Sequence, residues 1–226
     1  MLRYLLGGYD ALTIMMSFFS ILVVLLVATP VHECAHGWMA KLLGDDTAEN
    51  SGRLTLNPIQ HLDPLGTICM LLFGIGWGKP VPVNPSRCRK VKGKTAMALT
   101  ALAGPVSNVL LALVFMIIYK VVFYTCGTVN NISYFLAALI FIIDINLYLA
   151  VFNLIPIPPF DGSRIMLAFL PTKLYFSIMK YERVIMVAIM LLLWSGILSI
   201  PLQIISNWIF NGLDFITTPI DLIFVH

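Results

Sequence analysis

Residues 11–43 read ALTIMMSFFSILVVLLVATPVHECAHGWMAKLL. Roughly twenty uncharged, mostly apolar residues from Ala11 to Val31 lead into His32-Glu33-Cys34-Ala35-His36, and a further helical run follows to Leu43. A stretch of about 20 such residues can cross the hydrocarbon core of a bilayer as a helix. No small-residue cleavage site followed by polar sequence intervenes before His32, so the segment is read as a retained span and not as a removable leader. Pro30 predicts a kink, and Gly44-Asp45-Asp46 predicts the helix end. The final turns must therefore carry His32 and His36 on a helix.

The rest of the chain agrees with a membrane reading. Of 226 residues, 59% are hydrophobic and 11% charged, against about one-quarter charged in soluble domains. Further uncharged stretches run from Thr95 to Tyr119, Ile145 to Phe160 and Val184 to Leu213. The expected fold is all-α and polytopic. It has about four transmembrane helices, the later three near 97–119, 133–155 and 184–200. A net charge of +3, dispersed along an apolar chain, excludes a nucleic-acid-binding role.

Charge placement predicts topology. Lys79, Arg87, Arg89, Lys90, Lys92 and Lys94 form one loop without an acidic residue, and Lys173, Lys180 and Arg183 lie in a second. Both are expected on the cytoplasmic side, with the uncharged loop near Thr125–Asn131 outside. Two spans separate the basic loops, which keeps the count consistent. Cys34, Cys69, Cys88 and Cys126 form no close pair, and no disulfide framework is expected.

Between the spans the pattern changes. Arg53-Leu54-Thr55-Leu56 alternates like a short strand. Pro64 to Trp77 is uncharged but short and glycine-rich, so a re-entrant or interfacial segment fits better than a span. Pro80, Pro82 and Pro85 force Lys79–Pro85 into an extended, β-like course, either a surface to which an unfolded substrate can add as a strand along one edge or a rigid spacer. Pro201 is expected to end the fourth span before an interfacial helix at about 202–218. The whole chain, 1–226, reads as one membrane-embedded domain with its core at about 11–200, and His226 as a frayed end.

Residues four apart on a helix point about 40° from one another, so His32 and His36 can present their imidazoles to one metal ion. Glu33 can reach a water on that ion and take its proton, an arrangement used chiefly for peptide hydrolysis. Roughly one random chain in a thousand of this composition would contain the pattern. That rarity outweighs the plain alternative of a polar helix end facing water. Two histidines leave a catalytic zinc one protein ligand short. Candidates for the third are His61, Glu49, Asp63, Asp144 and Asp161. Asp161 has the best setting, because Pro156, Pro158 and Pro159 break a membrane helix just before it and leave backbone groups that need a lined cavity. Asp144 and Asn146 read as a paired structural feature inside a helix, and His61 as ordinary loop surface.

Three motifs carry a specific resemblance: the His32–His36 run, Ala103-Gly104-Pro105-Val106-Ser107-Asn108, and Asn153 to Gly162 (NLIPIPPFDG). In order and separation, together with Gly52–Pro58 and Gly78–Pro85, they resemble the core of the site-2 protease family of intramembrane zinc metalloproteases over roughly residues 11 to 200. The resemblance implies that His32, His36 and Asp161 bind Zn2+ and that Glu33 is the general base. Asn108 would hold substrate or the developing oxyanion, or else bond a neighbouring helix. It also implies single-span transmembrane protein substrates cleaved in the lipid bilayer, in a minimal form without an appended regulatory domain. The rival readings are a membrane zinc transporter, which would need more metal-binding residues along a path, and a catalytically silent relative, which an intact Glu33 argues against.

Overall fold

Helix begins where the apolar stretch begins. The structure is a computed structural model that describes residues 7–8, 11–73, 76–91, 93–127 and 130–225. Helix α1 (Ala11–Val23) runs through a π turn (Val24–Ala28) into α2 (Thr29–Leu42). The Thr29 N–H donates to the Val24 carbonyl, five residues back. That widened turn lies just ahead of Pro30, which lacks the N–H that would bond the Leu26 carbonyl. The expected proline kink is thus taken up by a π turn, and the helix continues through to His32 and His36. Ser17 and Ser20, both buried, donate to the carbonyls of Thr13 and Met16, which satisfies their hydroxyls within the helix.

Two further helices complete the core, α6 (Gly93–Cys126) and α7 (Asn130–Asn153). Three helical runs, Ala11–Leu42, Gly93–Cys126 and Ile132–Asn153, are long and apolar enough to cross a membrane. Helices α6 and α7 pack along each other, α1 lies against α7, and α2 lies against α6. Ala112, Met116, Ile143 and Leu147 form the buried seam.

The loops between α2 and α6 fold back onto the end of α2. Short helices α3 (Thr47–Asn50) and α4 (Pro58–His61) precede α5 (Pro64–Phe73). Helix α5 has 10 residues, about 15 Å at the helical rise and half a hydrocarbon core. The chain then returns to where it left: Leu62 pairs with Gly78 in an antiparallel bridge, and the Lys79 N–H donates to the His61 carbonyl at 2.7 Å. A Cβ on Gly66 would lie 2.1 Å from the Trp77 carbonyl oxygen, so glycine is what lets the two limbs close. This excursion fits the re-entrant reading.

The expected strand at Arg53–Leu56 is absent; the described residues contain no strand, only that single bridge. Side-chain donors take the carbonyls that a neighbouring strand would have used. His61 Nε2 sits 2.6 Å from the Thr55 carbonyl, and Arg53 donates to the carbonyls of Lys79 and Pro80. The extended course of Lys79–Pro85 is present. It is tied down by Asp45, which is fully buried and accepts from the Asn84 N–H at 2.6 Å and from the Thr47 N–H and hydroxyl.

After α7 come α8 (Asp161–Met166), α9 (Thr172–Met179), α10 (Glu182–Trp194), α11 (Ser199–Ile216) and α12 (Thr218–Val225). The apolar run expected as a fourth span is divided between two helices here. Helix α10 has 13 residues, about 20 Å long and short of a ~30 Å hydrocarbon core, because the chain turns at Gly196 with φ 80°. Pro201 does not end a helix but sits in the first turn of α11, where its missing N–H costs nothing. Nor is α11 merely interfacial: Leu202, Ser206 and Leu213 are buried, and Leu213 joins the α6–α7 seam. Lys92 and His226, Gly74 within the glycine-rich segment and residues 128–129 within the uncharged loop lie outside the described residues.

The C-terminal helices are pinned by a charge cluster that the sequence reading did not anticipate. Lys120 of α6, 6% exposed, lies 2.8 Å from Asp214 Oδ1 of α11 and 2.7 Å from Asp221 Oδ2 of α12. Lys120→Met should destabilise the docking of α11 and α12 by about 2 kcal/mol, the order of a charged hydrogen bond. Limited proteolysis in detergent would reveal it as faster clipping after residue 199 with the metal content of the protein unchanged.

Candidate metal centre

The helical spacing of four brings His32 and His36 together as expected, and α8 delivers Asp161 to the same point. His32 Nε2 is 3.1 Å from His36 Nε2, and Asp161 Oδ2 is 3.1 Å from the first and 3.3 Å from the second. Three ligands at 2.0–2.1 Å from a tetrahedral zinc would stand about 3.3 Å apart. Among the described residues this is the cluster of His, Cys, Asp and Glu arranged to hold a metal ion.

The donor chemistry also fits a cation. His36 Nδ1 is 2.7 Å from the Thr100 carbonyl, and a carbonyl can only accept, so Nδ1 carries the proton. In the neutral ring Nε2 is then a bare acceptor facing the carboxylate oxygen of Asp161, another acceptor. Two lone pairs converging at 3.3 Å are stable with a cation between them or an added proton. Burial alone would raise the Asp161 carboxyl. Where no cation is bound, protons on His32 and His36 take its place: their hydrogen bonds and positive charge outweigh burial and hold that carboxyl well below the usual carboxylate range.

Small residues make this convergence possible. A Cβ on Gly104 would lie 2.5 Å from His36 Cε1 and Nε2 and 2.6 Å from His32 Cε1, so both imidazoles occupy the space that its missing side chain leaves. Gly162 plays a similar part for Asp161, since a Cβ there would meet the carbonyl oxygens of Leu154 and Ile155 at 2.3 and 2.5 Å. The turn after the α7 proline break can thereby fold directly over α8.

Glu33 lines the same cavity but stands apart from the three ligand atoms. Its Oε2 accepts from the Val81 N–H at 2.9 Å, an anchor that sequence spacing does not reveal. The segment Lys79–Pro85 therefore orients the carboxylate. The strand-addition idea weakens in consequence, because the amides of Lys79, Val81 and Asn84 are already engaged by His61, Glu33 and Asp45. A proline at Val81 would now be read as loss of the Glu33 anchor.

Asn108 is 1% exposed and its Oδ1 has no hydrogen-bond partner, yet the residue lines the cavity beside the cluster. Asn153 lines it too. The other candidates for a third ligand are elsewhere. Glu49 pairs with Lys41 at 2.7 Å, Asp63 accepts from the Gly66 N–H at the start of α5, and Asp144 is exposed on α7. Nor do Asp144 and Asn146 form the expected pair: the Asn146 amide donates to the Ile142 carbonyl. His61 is corrected from loop surface to core, being fully buried against Thr55 and 3.8 Å from Cys34 Sγ. His61→Ala should cost about 2 kcal/mol through the lost hydrogen bond and the space left by a fully buried ring, the Thr55 carbonyl keeping only the Cys34 thiol as donor. A lowered melting temperature with unchanged metal content would check this, and metal loss would return His61 to the ligand set.

The cavity, about 450 Å³, is walled by Val24, Leu25 and Ala28 of the π turn, Leu149 and Phe152 of α7, and Met186 of α10, with the polar cluster at its base. It thus meets a ligand with an apolar wall and a few polar groups.

Comparison with known proteins agrees with this chemistry. The model of peptidase family M50 matches residues 120–195, a stretch that contains Asp161. YwhC of Bacillus subtilis is 44% identical over 147 residues, 64% of this chain and 66% of that protein. MJ0611 of Methanocaldococcus jannaschii is 46% identical over 109 residues, 45% of this chain and 49% of that one. Rip2 of Mycolicibacterium smegmatis is 28% identical over 142 residues, 61% of this chain and 52% of that one. All three carry names that assign them provisionally as zinc metalloproteases. The matched stretches span from about half to about two-thirds of those relatives' lengths. No solved structure matches the chain.

Proposed function

Because the chain belongs to peptidase family M50, the site-2 protease family, we propose that it is an intramembrane zinc metalloprotease that cleaves single-span transmembrane proteins. The observation that carries this reading is the convergence of His32 Nε2, His36 Nε2 and Asp161 Oδ2 at zinc-ligand spacing, with Glu33 on the same cavity wall. His32, His36 and Asp161 would hold the ion. The bound zinc supplies Lewis acidity, polarising a carbonyl and lowering the pKa of a water.

The remaining work belongs to the chain. The Val81 amide holds one oxygen of Glu33, leaving the carboxylate to take the proton of the attacking water and return it to the leaving amide nitrogen. Asn108 lines the cavity; its Nδ2 is the atom suited to donate to the substrate carbonyl or its oxyanion, and its unpartnered Oδ1 can accept from a substrate N–H. Thr100 fixes the His36 tautomer through its carbonyl, which keeps Nε2 free as a ligand. The apolar wall supplied by the π turn, α7 and α10 suits an unwound transmembrane segment.

Orientation follows from charge. The basic residues of the loop before α6 and of the segment after α8 argue for a cytoplasmic location of that end of the bundle. His32 lies 21 residues after Ala11, about 32 Å along the helix and so one hydrocarbon thickness away. The transporter reading is less well supported, since no second cluster of metal-binding side chains stands among the described residues to continue a path.

The test is reconstitution of the purified full chain in proteoliposomes with a panel of single-span substrates, with zinc measured per chain. Cleavage that stops on chelation and returns with zinc is the expected result. Zinc flux across the vesicle wall without cleavage of any substrate would overturn the reading in favour of transport.

A further inference from the structure

Two cavity-lining side chains of opposite charge have no part in the chemistry described so far, Arg164 of α8 and Glu182 at the start of α10. Each is half-buried. Among the described residues neither is engaged in an ion pair, the pairs formed being those of Asp161, Glu49, Asp214 and Asp221. A half-buried guanidinium without a carboxylate among the described residues has strong, fork-shaped donors to offer a ligand. Arg164 is also held in a fixed relation to the centre. It stands three residues after Asp161 in the same short helix, so the two side chains are neighbours on one face. Both charges are felt at one place: burial pushes the Tyr175 phenol up, the positive charge of Arg164 opposes that shift, and the negative charge of Glu182 adds to it.

We propose that Arg164 forms a binding subsite for the carboxylate of an acidic substrate side chain, at a fixed register from the scissile bond. Glu182 selects in the opposite sense on the α10 wall. The inference rests on the proteolytic reading above and refines it, from any membrane segment to one with an acidic residue at its polar flank. Guanidinium–carboxylate pairing is bidentate and directional, so the register is set by the span between Arg164 and the metal ligands. An acidic residue set beside Glu182 instead would meet like charge and be disfavoured, so the two side chains discriminate between placements of a substrate charge.

The experiment uses the full chain in proteoliposomes and a panel of single-span peptides with amidated C-termini. The amidation ensures that a side chain alone can supply a carboxylate. Asp, Asn and Lys are placed in turn at each position flanking the cut. Wild type is expected to favour Asp over Asn at one register by about tenfold in kcat/KM, the lower end of a charged contact. Arg164→Glu should reverse that preference towards Lys with zinc content unchanged, and Arg164→Lys should retain part of it.

Equal losses on Asp, Asn and Lys peptides in Arg164→Glu would overturn the subsite and leave a structural role. So would recovery of wild-type preference in the Arg164→Glu/Glu182→Arg double variant, since that outcome marks the two residues as partners of each other. Binding of the same peptides to Glu33→Gln, followed by fluorescence, separates this proposal from the one beneath it. If wild type cleaves nothing while binding still favours Asp through Arg164, the subsite stands and proteolysis falls; binding without preference sinks the subsite alone.

Discussion

Glu33→Gln should lose cleavage by a factor of about 10² to 10⁴, the usual contribution of a general base, while zinc stays at about one per chain. Glutamine has the shape of glutamate, and its side-chain oxygen can still accept from the Val81 N–H that Glu33 engages at 2.9 Å. The substitution therefore leaves the packing of Lys79–Pro85 in place and removes basicity alone. Glu33 is not one of the three atoms at ligand spacing, so metal affinity should not follow activity down. Zinc titration beside single-turnover cleavage gives both readouts on one preparation. Loss of zinc in parallel with activity would make Glu33 a support of the metal site, and undiminished cleavage would remove it from the reaction.

What the sequence made legible was local. His32, Glu33 and His36 lie within one and a half helical turns, so periodicity alone fixes their relation, and the uncharged run before them places them at a membrane boundary. Asp161 needed more: its proline-broken setting favoured it among five candidates, and the family resemblance singled it out. The groups that hold these residues in place were not legible, because each is a backbone atom or an empty space brought from far along the chain. The Thr100 carbonyl is 64 residues from His36, and the Val81 amide is 48 residues from Glu33. Neither leaves a residue-type signature, since any residue at position 100 has a carbonyl and any but proline at 81 has an amide.

The errors have a common origin in reading composition as geometry. An apolar run from Val184 onward has the length of a span, yet length is decided by where the helix stops, and Gly196 turns the chain after Trp194. The spacing of Leu202, Ile205, Ile209 and Leu213 marks an apolar face without saying what covers it. A bilayer surface and the α6–α7 seam offer the same solvent to leucine, and Leu213 takes the seam. His61 was misjudged for the same reason in reverse. A polar residue beside a loop reads as surface, but His61 turns inward to the Thr55 carbonyl, which it shares with the Cys34 thiol.

Gly104→Ala should weaken zinc binding by at least about 10- to 100-fold, the cost seen when groups that orient a metal ligand are disturbed. The change adds a single methyl group. That methyl would stand 2.5 Å from His36 Nε2 and 2.6 Å from His32 Cε1, roughly 1 Å inside ordinary contact distance. Two relaxations are open, and each damages the site. If the imidazoles retreat, Nε2 leaves a position that zinc tolerates to only about 0.2 Å. If α6 retreats, His36 loses the Thr100 carbonyl that fixes its tautomer. Chelator competition on the purified variant would measure the affinity, with Gly212→Ala as the matched control, since nothing lies within 4 Å of a Cβ there. A methyl accepted at 104 without loss of zinc would mean that the imidazoles do not share the space beside that glycine, and the metal centre would have to be placed elsewhere on α2.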